Sequence, residues 1–169
     1  MNENIARSLC FTGHRPERLP KGERYQLMLD TMYRCIDDAV RKGYTTFYTG
    51  LADGIDYLAA EYLFRIRMSN PQIRIIGVQP CEDYYDFYCR RGYDTGHLDL
   101  MTAVADRIIV LPGTSYDPQC FLRRNCYMVD HSALIIAVYD GTMGGTFRTL
   151  EYALKKGVPF VDIPPVISE

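Results

Sequence analysis

Apolar runs of strand length recur along the chain, and segments with helical spacing separate them. The runs cover residues 7–12, 44–49, 73–78, 107–111, 133–139 and 160–163. Because they are mostly apolar throughout rather than alternating, they are typical of strands buried on both faces. Strands that alternate with helices predict an α/β fold: a doubly wound, mainly parallel sheet of about five or six strands with helices on both faces.

The helical segments are recognised by apolar residues at intervals of three and four. Helices are predicted over 22–42, 98–105 and 119–131, with another that buries Leu58, Ala59, Tyr62, Leu63 and Ile66. A last helix is expected to place Leu150, Ala153 and Leu154 on one face and to end at Gly157. No Pro/Gly/Ser-rich linker divides the sequence, so residues 1–169 are expected to form a single domain.

The stretch 81–97 is the least regular, with four tyrosines and a phenylalanine around Arg90 and Arg91. Aromatic rings beside arginines stack on nucleic-acid bases. A helix whose aromatic side covers the edge of the sheet has the same pattern. Both interpretations stay open, and the tyrosines between Tyr84 and Tyr93 also suit an interface in a homo-oligomer.

Charge and composition narrow the function classes. The 169 residues carry a formal net charge of −2, which argues against nonspecific nucleic-acid binding as the main role. The apolar runs are too short to span a membrane, and the first residues lack the pattern of a signal peptide, so a cytoplasmic protein without membrane contact is expected. Six scattered cysteines form no C-x-x-C pair, so we expect reduced thiols and no metal site.

Three glycine-bearing loops follow predicted strands, at Gly13, at Gly50–Gly54 and at 141–145. The carboxyl ends of parallel strands share one edge, where ligands of such sheets bind. The loops are therefore expected to direct backbone N–H groups of Gly13, Gly50, Gly54, Gly144 and Gly145, with the hydroxyl of Thr146, towards one anion. Tight turns without a ligand are the alternative.

Charged residues beside these loops are candidates for the same ligand. Arg15 and Arg124 suit a phosphate because a guanidinium donates paired hydrogen bonds, although surface ion pairs are the common alternative. His14 either donates to the same anion or packs structurally. Asp53 either caps the following helix or accepts from ribose hydroxyls, and Asp56 either stabilises the N-terminus of that helix or accepts from the same hydroxyls.

Two motifs resemble known families. The segment Thr49-Gly-Leu-Ala-Asp-Gly-Ile-Asp56 resembles the S-G-x-A-x-G-I-D motif of the DprA/Smf proteins. The run that starts at Arg124-Asn125 and continues through Asp140 to Gly144-Gly-Thr146 is similar to the LOG-type "lysine decarboxylase-like" proteins. Both families belong to the SLOG superfamily of Rossmann-like domains. The whole chain, including Thr12-Gly-His-Arg-Pro16, resembles its YpsA-like branch.

The resemblance implies a domain that binds a nucleotide-derived ligand, of the ADP-ribose or nucleotide-sugar type, at the loop edge, with Asn125 joining the site beside Arg124. LOG enzymes cleave an N-glycosidic bond with an arginine, which Arg124 matches, and a glutamate, where this chain has Thr149. A threonine hydroxyl is no base near neutral pH, so the resemblance leaves catalysis open.

Three hypotheses follow. The first is a binding or sensing module that requires no cofactor beyond its nucleotide-derived ligand. The second is a nucleotide hydrolase whose carboxylate is one of Asp53, Asp56 and Asp140. The third is a DNA-associated, DprA-like protein, in which a basic patch would be formed by Arg90, Arg91, Arg123 and Arg124. Two features count against it: the chain is mildly acidic, and Asp53 stands at a position that is often arginine in the DprA motif.

Overall fold

A computed structural model describes residues 4–165. Its six strands form one parallel sheet in the order β4-β3-β2-β1-β5-β6. The strands are β1 (Ser8–Gly13), β2 (Thr46–Thr49), β3 (Arg74–Gln79), β4 (Arg107–Val110), β5 (Leu134–Val138) and β6 (Phe160–Ile163). The predicted Rossmann-like architecture is confirmed, and all six predicted strands are present.

Six α-helices connect the strands. They are α1 (Glu23–Arg41), α2 (Ile55–Arg67), α3 (Tyr84–Arg90), α4 (Thr95–Val104), α5 (Cys120–Asp130) and α6 (Gly145–Lys156). Two short 3-10 helices, Ile5–Arg7 and Pro16–Arg18, flank β1. None of the helices within residues 4–165 is both long enough and apolar enough to cross a membrane.

Strand β1 lies at the centre of the sheet, where the strand order reverses. Leu9 is in register with Phe47 of β2 on one side and with Leu134 of β5 on the other. The chain first builds the sheet outwards through β2, β3 and β4 and then returns to the other side of β1. A crevice therefore opens at the carboxyl ends of β1 and β5, the usual ligand position in open α/β sheets.

Successive residues of the strands point to opposite faces, and each face has its own core. Leu9 and Phe11 pack with helices α1 to α4 on one face, whereas Cys10, Ile135 and Ala137 pack with α5 and α6 on the other. Both faces of the sheet are thus covered, which explains why its strands read as continuous apolar runs.

Two local features refine the sequence predictions. Within stretch 81–97, Tyr84, Phe87 and Tyr88 of α3 are buried in the first core, which matches the interpretation of a helix with an inward aromatic side. Leu154, predicted on the inner face of α6, is 68% exposed, so that prediction is wrong. At 100° per residue, Leu154 lies about 90° from the centre of the buried stripe set by Thr146, Thr149, Leu150 and Ala153.

Candidate functional site

A cavity of about 290 Å³ opens at the carboxyl ends of β1, β2 and β5. It is lined by most of the residues that the sequence singled out: Gly13, His14, Arg15, Asp56, Arg124, Asn125, Gly144, Gly145 and Thr146. Residues from three separate loops and from helices α5 and α6 therefore meet at one edge of the sheet.

Gly50 and Gly54 are placed differently. Gly50 lies beneath Arg124 and Asp56, and its N–H donates to the Asp56 carboxylate. The N–H of Gly54 donates to Asp53 Oδ1 at 2.8 Å. Protein carboxylates therefore already bind both of these N–H groups, and neither glycine lines the cavity.

Gly13 and Gly54 allow the loops after β1 and β2 to approach each other. A Cβ on Gly54, where φ is +94°, would lie 2.5 Å from the carbonyl oxygen of His14. A Cβ on Gly13 would lie 2.5 Å from Cγ1 of Ile55. These glycines hold the cavity wall together by close packing rather than by contact with a ligand.

Helix α6 begins at Gly145 and directs its N-terminus at the cavity. Its N-cap residue is Gly144, so no side chain caps the N–H groups of the first turn. Gly144, Gly145 and Thr146 all line the cavity. Uncapped N–H groups and the partial positive charge of the helix end make this wall attractive to an anion.

Asp140 joins the loop after β5 to the loop after β1. His14 Nε2 lies 3.0 Å from Asp140 Oδ1, and Nη2 of Arg18 lies 3.3 Å from Oδ2. Hydrogen bonds from the Thr142 hydroxyl and backbone N–H, together with His14, lower the pKa of Asp140 to about 2. This carboxylate is therefore ionised at neutral pH and holds the two loops in place.

Arg15 projects a buried guanidinium into the cavity. Its Cζ lies 5.5 Å from the centre of the Tyr93 ring and 5.8 Å from that of Phe121. Nη1 is buried and has no hydrogen-bond partner among residues 4–165. Burial alone would lower the pKa of Arg15, but Tyr84 and Asp56 raise it above its usual value, so the group remains a cation.

Arg124 and Asp56 form the floor of the cavity. Arg124 is 4% exposed; its Nη1 donates to the carbonyl of Gly50 and its Nε to Asn125 Oδ1 at 3.0 Å. Burial raises the pKa of Asp56. This rise is opposed by the positive charges of Arg124 and Arg15 and by hydrogen bonds from the N–H groups of Ala52 and Gly50. Arg124 is thus largely committed to holding the loop after β2.

Thr149 occupies the position of the glutamate in LOG enzymes and is 1% exposed. Its hydroxyl donates to the carbonyl of Gly145 and accepts from Asn125 Nδ2, both at 2.8 Å. It therefore links the N-terminus of α6 to helix α5. Glu151 is exposed.

Replacing Thr149 by valine is expected to lower the free energy of unfolding by about 2 kcal/mol, because a buried amide N–H loses its acceptor. Urea denaturation of the two proteins measures the difference. Thr31→Val is the matched control, since Thr31 makes the same type of bond, to the carbonyl of Leu27 one turn earlier, on an exposed surface. Equal losses in both variants would contradict a linking role for Thr149.

The four arginines of the DNA hypothesis differ in exposure and in their partners. Arg124 is buried, Arg123 pairs with Asp117, and Arg90 pairs with Asp83 at 3.4 Å. Arg91 lies over the ring of Phe87. All four arginines are therefore in contact with protein groups, and Arg124 is removed from the surface.

Sequence reasoning missed several residues of the site. Arg18, Phe121 and Thr142 line the cavity, and His97 Nδ1 lies 2.8 Å from Asp53 Oδ1. Arg18 lies between Pro16 and Pro20, in a segment predicted only as a loop, although it is three residues after Arg15. Asp53 does not cap α2 through its side chain, because Gly54 is the N-cap. No cluster of three or more metal-ligating side chains occurs within residues 4–165.

Comparison with known proteins gives relatives in sequence and in fold. A curated relative is the uncharacterized SPbeta prophage-derived protein YoqJ of Bacillus subtilis (strain 168), 32% identical over 124 residues that cover 64% of this chain and 69% of YoqJ. DNA processing protein A from Helicobacter pylori, described for its single-stranded DNA binding mode, aligns with 96% of this chain and 67% of its own (TM-score 0.65, 20% identity). DprA from Streptococcus pneumoniae aligns with 96% of this chain and 52% of its own (TM-score 0.67, 18% identity).

At these identities the two solved structures establish the shared fold, and this chain spans about half the length of the S. pneumoniae protein. A family model matches most of the sequence: the YpsA model, described as the YspA SLOG family, matches residues 9–158. That match includes β2 to β5 in full, all of β1 except Ser8, and all the loops that line the cavity. The chain therefore belongs to the YspA SLOG family.

Proposed function

We propose that the cavity binds the anionic part of a nucleotide-derived ligand, of the ADP-ribose or nucleotide-sugar type, and that the protein is a binding or sensing module. The observation that carries the proposal is Arg15. Its Nη1 is buried in the cavity without a hydrogen-bond partner in the described chain. A phosphate oxygen is the partner that a guanidinium accepts most readily.

The charge balance of the cavity supports an anion. The carboxylates around it are engaged: Asp140 with His14 and Arg18, and Asp53 with His97. Asp56 accepts backbone N–H groups beneath Gly50. Arg15 and the N-terminus of α6 are left as positive charge that faces the cavity, and a bound phosphate would neutralise both.

Each group has a role in this proposal. Gly144, Gly145 and Thr146 bind phosphate oxygens through N–H groups and a hydroxyl. Arg15 pairs with the same phosphate. Arg124, which is hydrogen-bonded to Asn125, holds the floor of the cavity in place, and Asp56 accepts a hydrogen bond from a ribose hydroxyl.

Calorimetric titration with ADP-ribose, AMP and NAD tests the proposal. Arg15→Gln is expected to weaken binding of the phosphate-bearing ligands at least about tenfold, because a charge-assisted pair in a partly dry site is lost. Arg41→Gln is the control, since Arg41 is an exposed arginine of α1 that does not line the cavity. Absence of heat from all three ligands at millimolar concentration would overturn the proposal, as would equal affinities of the Arg15 variant and the native protein.

A second candidate function is hydrolysis of the bound nucleotide, which Asp56 favours. Burial raises its pKa while it lines the cavity, as in carboxyl groups that act as general acids. Incubation with a panel of nucleotides, followed by detection of free base and of phosphate, tests this activity. Release that Asp56→Asn abolishes would support it, and intact binding without release would leave the sensing module.

Single-stranded DNA is the ligand suggested by the fold shared with DprA. The pairing of Arg90 and Arg123 with aspartates and the net charge of −2 argue for weak binding at most. Affinity that falls steeply with salt concentration would instead support a DNA-associated protein, because counterion release governs that interaction.

A further inference from the structure

A second concave surface adjoins the cavity. This groove has a volume of about 410 Å³ and lies between the loop after β1 and helix α2. Pocket volumes for small molecules begin at about 300 Å³, so the groove is large enough for one. The lining residues that matter for its chemistry are Pro16, Lys21, Asp53, Tyr57, Glu61 and His97.

We infer that this groove is the subsite for a purine-type heteroaromatic ring, next to the anion site. The inference rests on the proposed function and adds to it the part of the ligand that distinguishes a nucleotide from a sugar phosphate. It is carried by three features of the groove: its aromatic wall, its acidic groups and its position.

The aromatic wall is a stacked pair of rings. Tyr57 and His97 lie 3.7 Å apart between ring centres, at an interplanar angle of 12°. Asp53 fixes the pair, because its Oδ1 lies 2.8 Å from His97 Nδ1. Flat side chains held in this way offer a stacking surface that loses little freedom when a planar ring binds.

The groove is acidic, in contrast to the neighbouring cavity. Asp53 and Glu61 line it, with Lys21 as the lone lysine or arginine among its lining residues. The pKa of Tyr57 is raised, chiefly by burial and to a smaller extent by the nearby carboxylates of Glu61, Asp94 and Asp53. Carboxylate oxygens accept from the N–H groups at the edge of a heteroaromatic base, whereas they repel a phosphate.

The position of the groove matches the two ends of a nucleotide. Arg15 lines the cavity and the next residue, Pro16, lines the groove, so the loop after β1 forms a wall of both. Asp53 lines both. A ligand with its phosphate at Arg15 can therefore extend its base over this loop into the groove.

The test compares AMP with ribose 5-phosphate, which lacks the base. We expect the native protein to bind AMP about tenfold more tightly, because stacking of one base on an aromatic side chain is worth about that factor. Tyr57→Leu should reduce AMP affinity to that of ribose 5-phosphate and leave ribose 5-phosphate unchanged. Glu61→Gln, which preserves the shape of the side chain, should weaken AMP alone by a smaller factor.

Tyr127→Leu is the matched control. Tyr127 stacks on His131 at 4.0 Å between ring centres, on the other side of the sheet, and does not line the groove. It should change neither affinity. A short oligodeoxyadenylate distinguishes a free nucleotide from a nucleic-acid strand as the source of the base: the inference expects it to bind more weakly than AMP.

Two outcomes would overturn the inference. Equal affinities of the native protein for AMP and ribose 5-phosphate would do so, as would AMP binding that Tyr57→Leu and Glu61→Gln leave unaltered. If AMP binding still depends on Arg15 in either case, the base subsite is rejected while the anion site stands. Absence of binding by both ligands would reject the proposed function itself.

Discussion

Replacing Gly54 by alanine is expected to lower the free energy of unfolding by about 3 kcal/mol and to weaken ligand binding at least about tenfold. Its φ of +94° is a conformation that residues with a Cβ rarely adopt. The added Cβ would also lie 2.5 Å from the carbonyl oxygen of His14 and 3.1 Å from Cα of Arg15. Relief of that contact must displace the backbone that positions Arg15.

Gly43→Ala separates the two contributions. Gly43 has nearly the same φ, +92°, but a Cβ there would meet nothing within 4 Å. It should therefore show the conformational cost alone, about 1 kcal/mol, with unchanged ligand affinity. Urea denaturation and calorimetric titration with AMP measure both effects. Similar losses in the two variants would contradict the role of close packing between the loops after β1 and β2.

The fold was predictable because its physical cause is local. A strand covered on both faces must be apolar along its whole length, and the run that became β5 shows this in sequence. Parallel strands then force Gly13 and the loop before Gly145 to one edge of the sheet. These two facts explain why the glycine loops after β1 and β5 could be predicted to line the same cavity.

The side-chain partners of the site were less predictable because they depend on tertiary contacts. Arg15 lies between Tyr93 and Phe121, which are 78 and 106 residues further along the chain. His97 approaches Asp53 across 44 residues. Periodicity carries no information about such pairs: it assigned Phe121 to a helix, but it could not show that this ring lies beside Arg15.

The departure at Thr149 shows where a family motif and its structure diverge. Sequence alone identified a missing carboxylate. The structure adds that the hydroxyl makes two hydrogen bonds: it accepts one from Asn125 of α5 and donates the other to the carbonyl of Gly145 in the first turn of α6. The position thus supports the wall of the cavity in this chain, which is consistent with a site that binds its ligand.

Replacing Arg124 by methionine is expected to lower the free energy of unfolding by about 3 kcal/mol at pH 7, because a buried carboxylate loses its principal positive neighbour. Asp56 would keep the N–H groups of Ala52 and Gly50 and the weaker influence of Arg15. The carbonyl of Gly50 would also lose its donor. Arg123→Met is the matched control: Arg123 is the preceding residue, but it pairs with Asp117 at the surface, so its loss should change stability little.

The pH dependence identifies Asp56 as the origin of the Arg124 effect. Burial raises the pKa of Asp56 in the folded protein above 3.8, its ordinary value, and loss of Arg124 removes the first influence that opposes this rise. The folded variant then binds a proton that the unfolded chain releases. Its stability should therefore increase relative to the native protein as the pH falls from the raised pKa towards 3.8. Asp56→Asn combined with Arg124→Met should recover part of the loss at pH 7 and remove this pH dependence, whereas a deficit that is constant with pH would assign the effect to the Gly50 carbonyl instead.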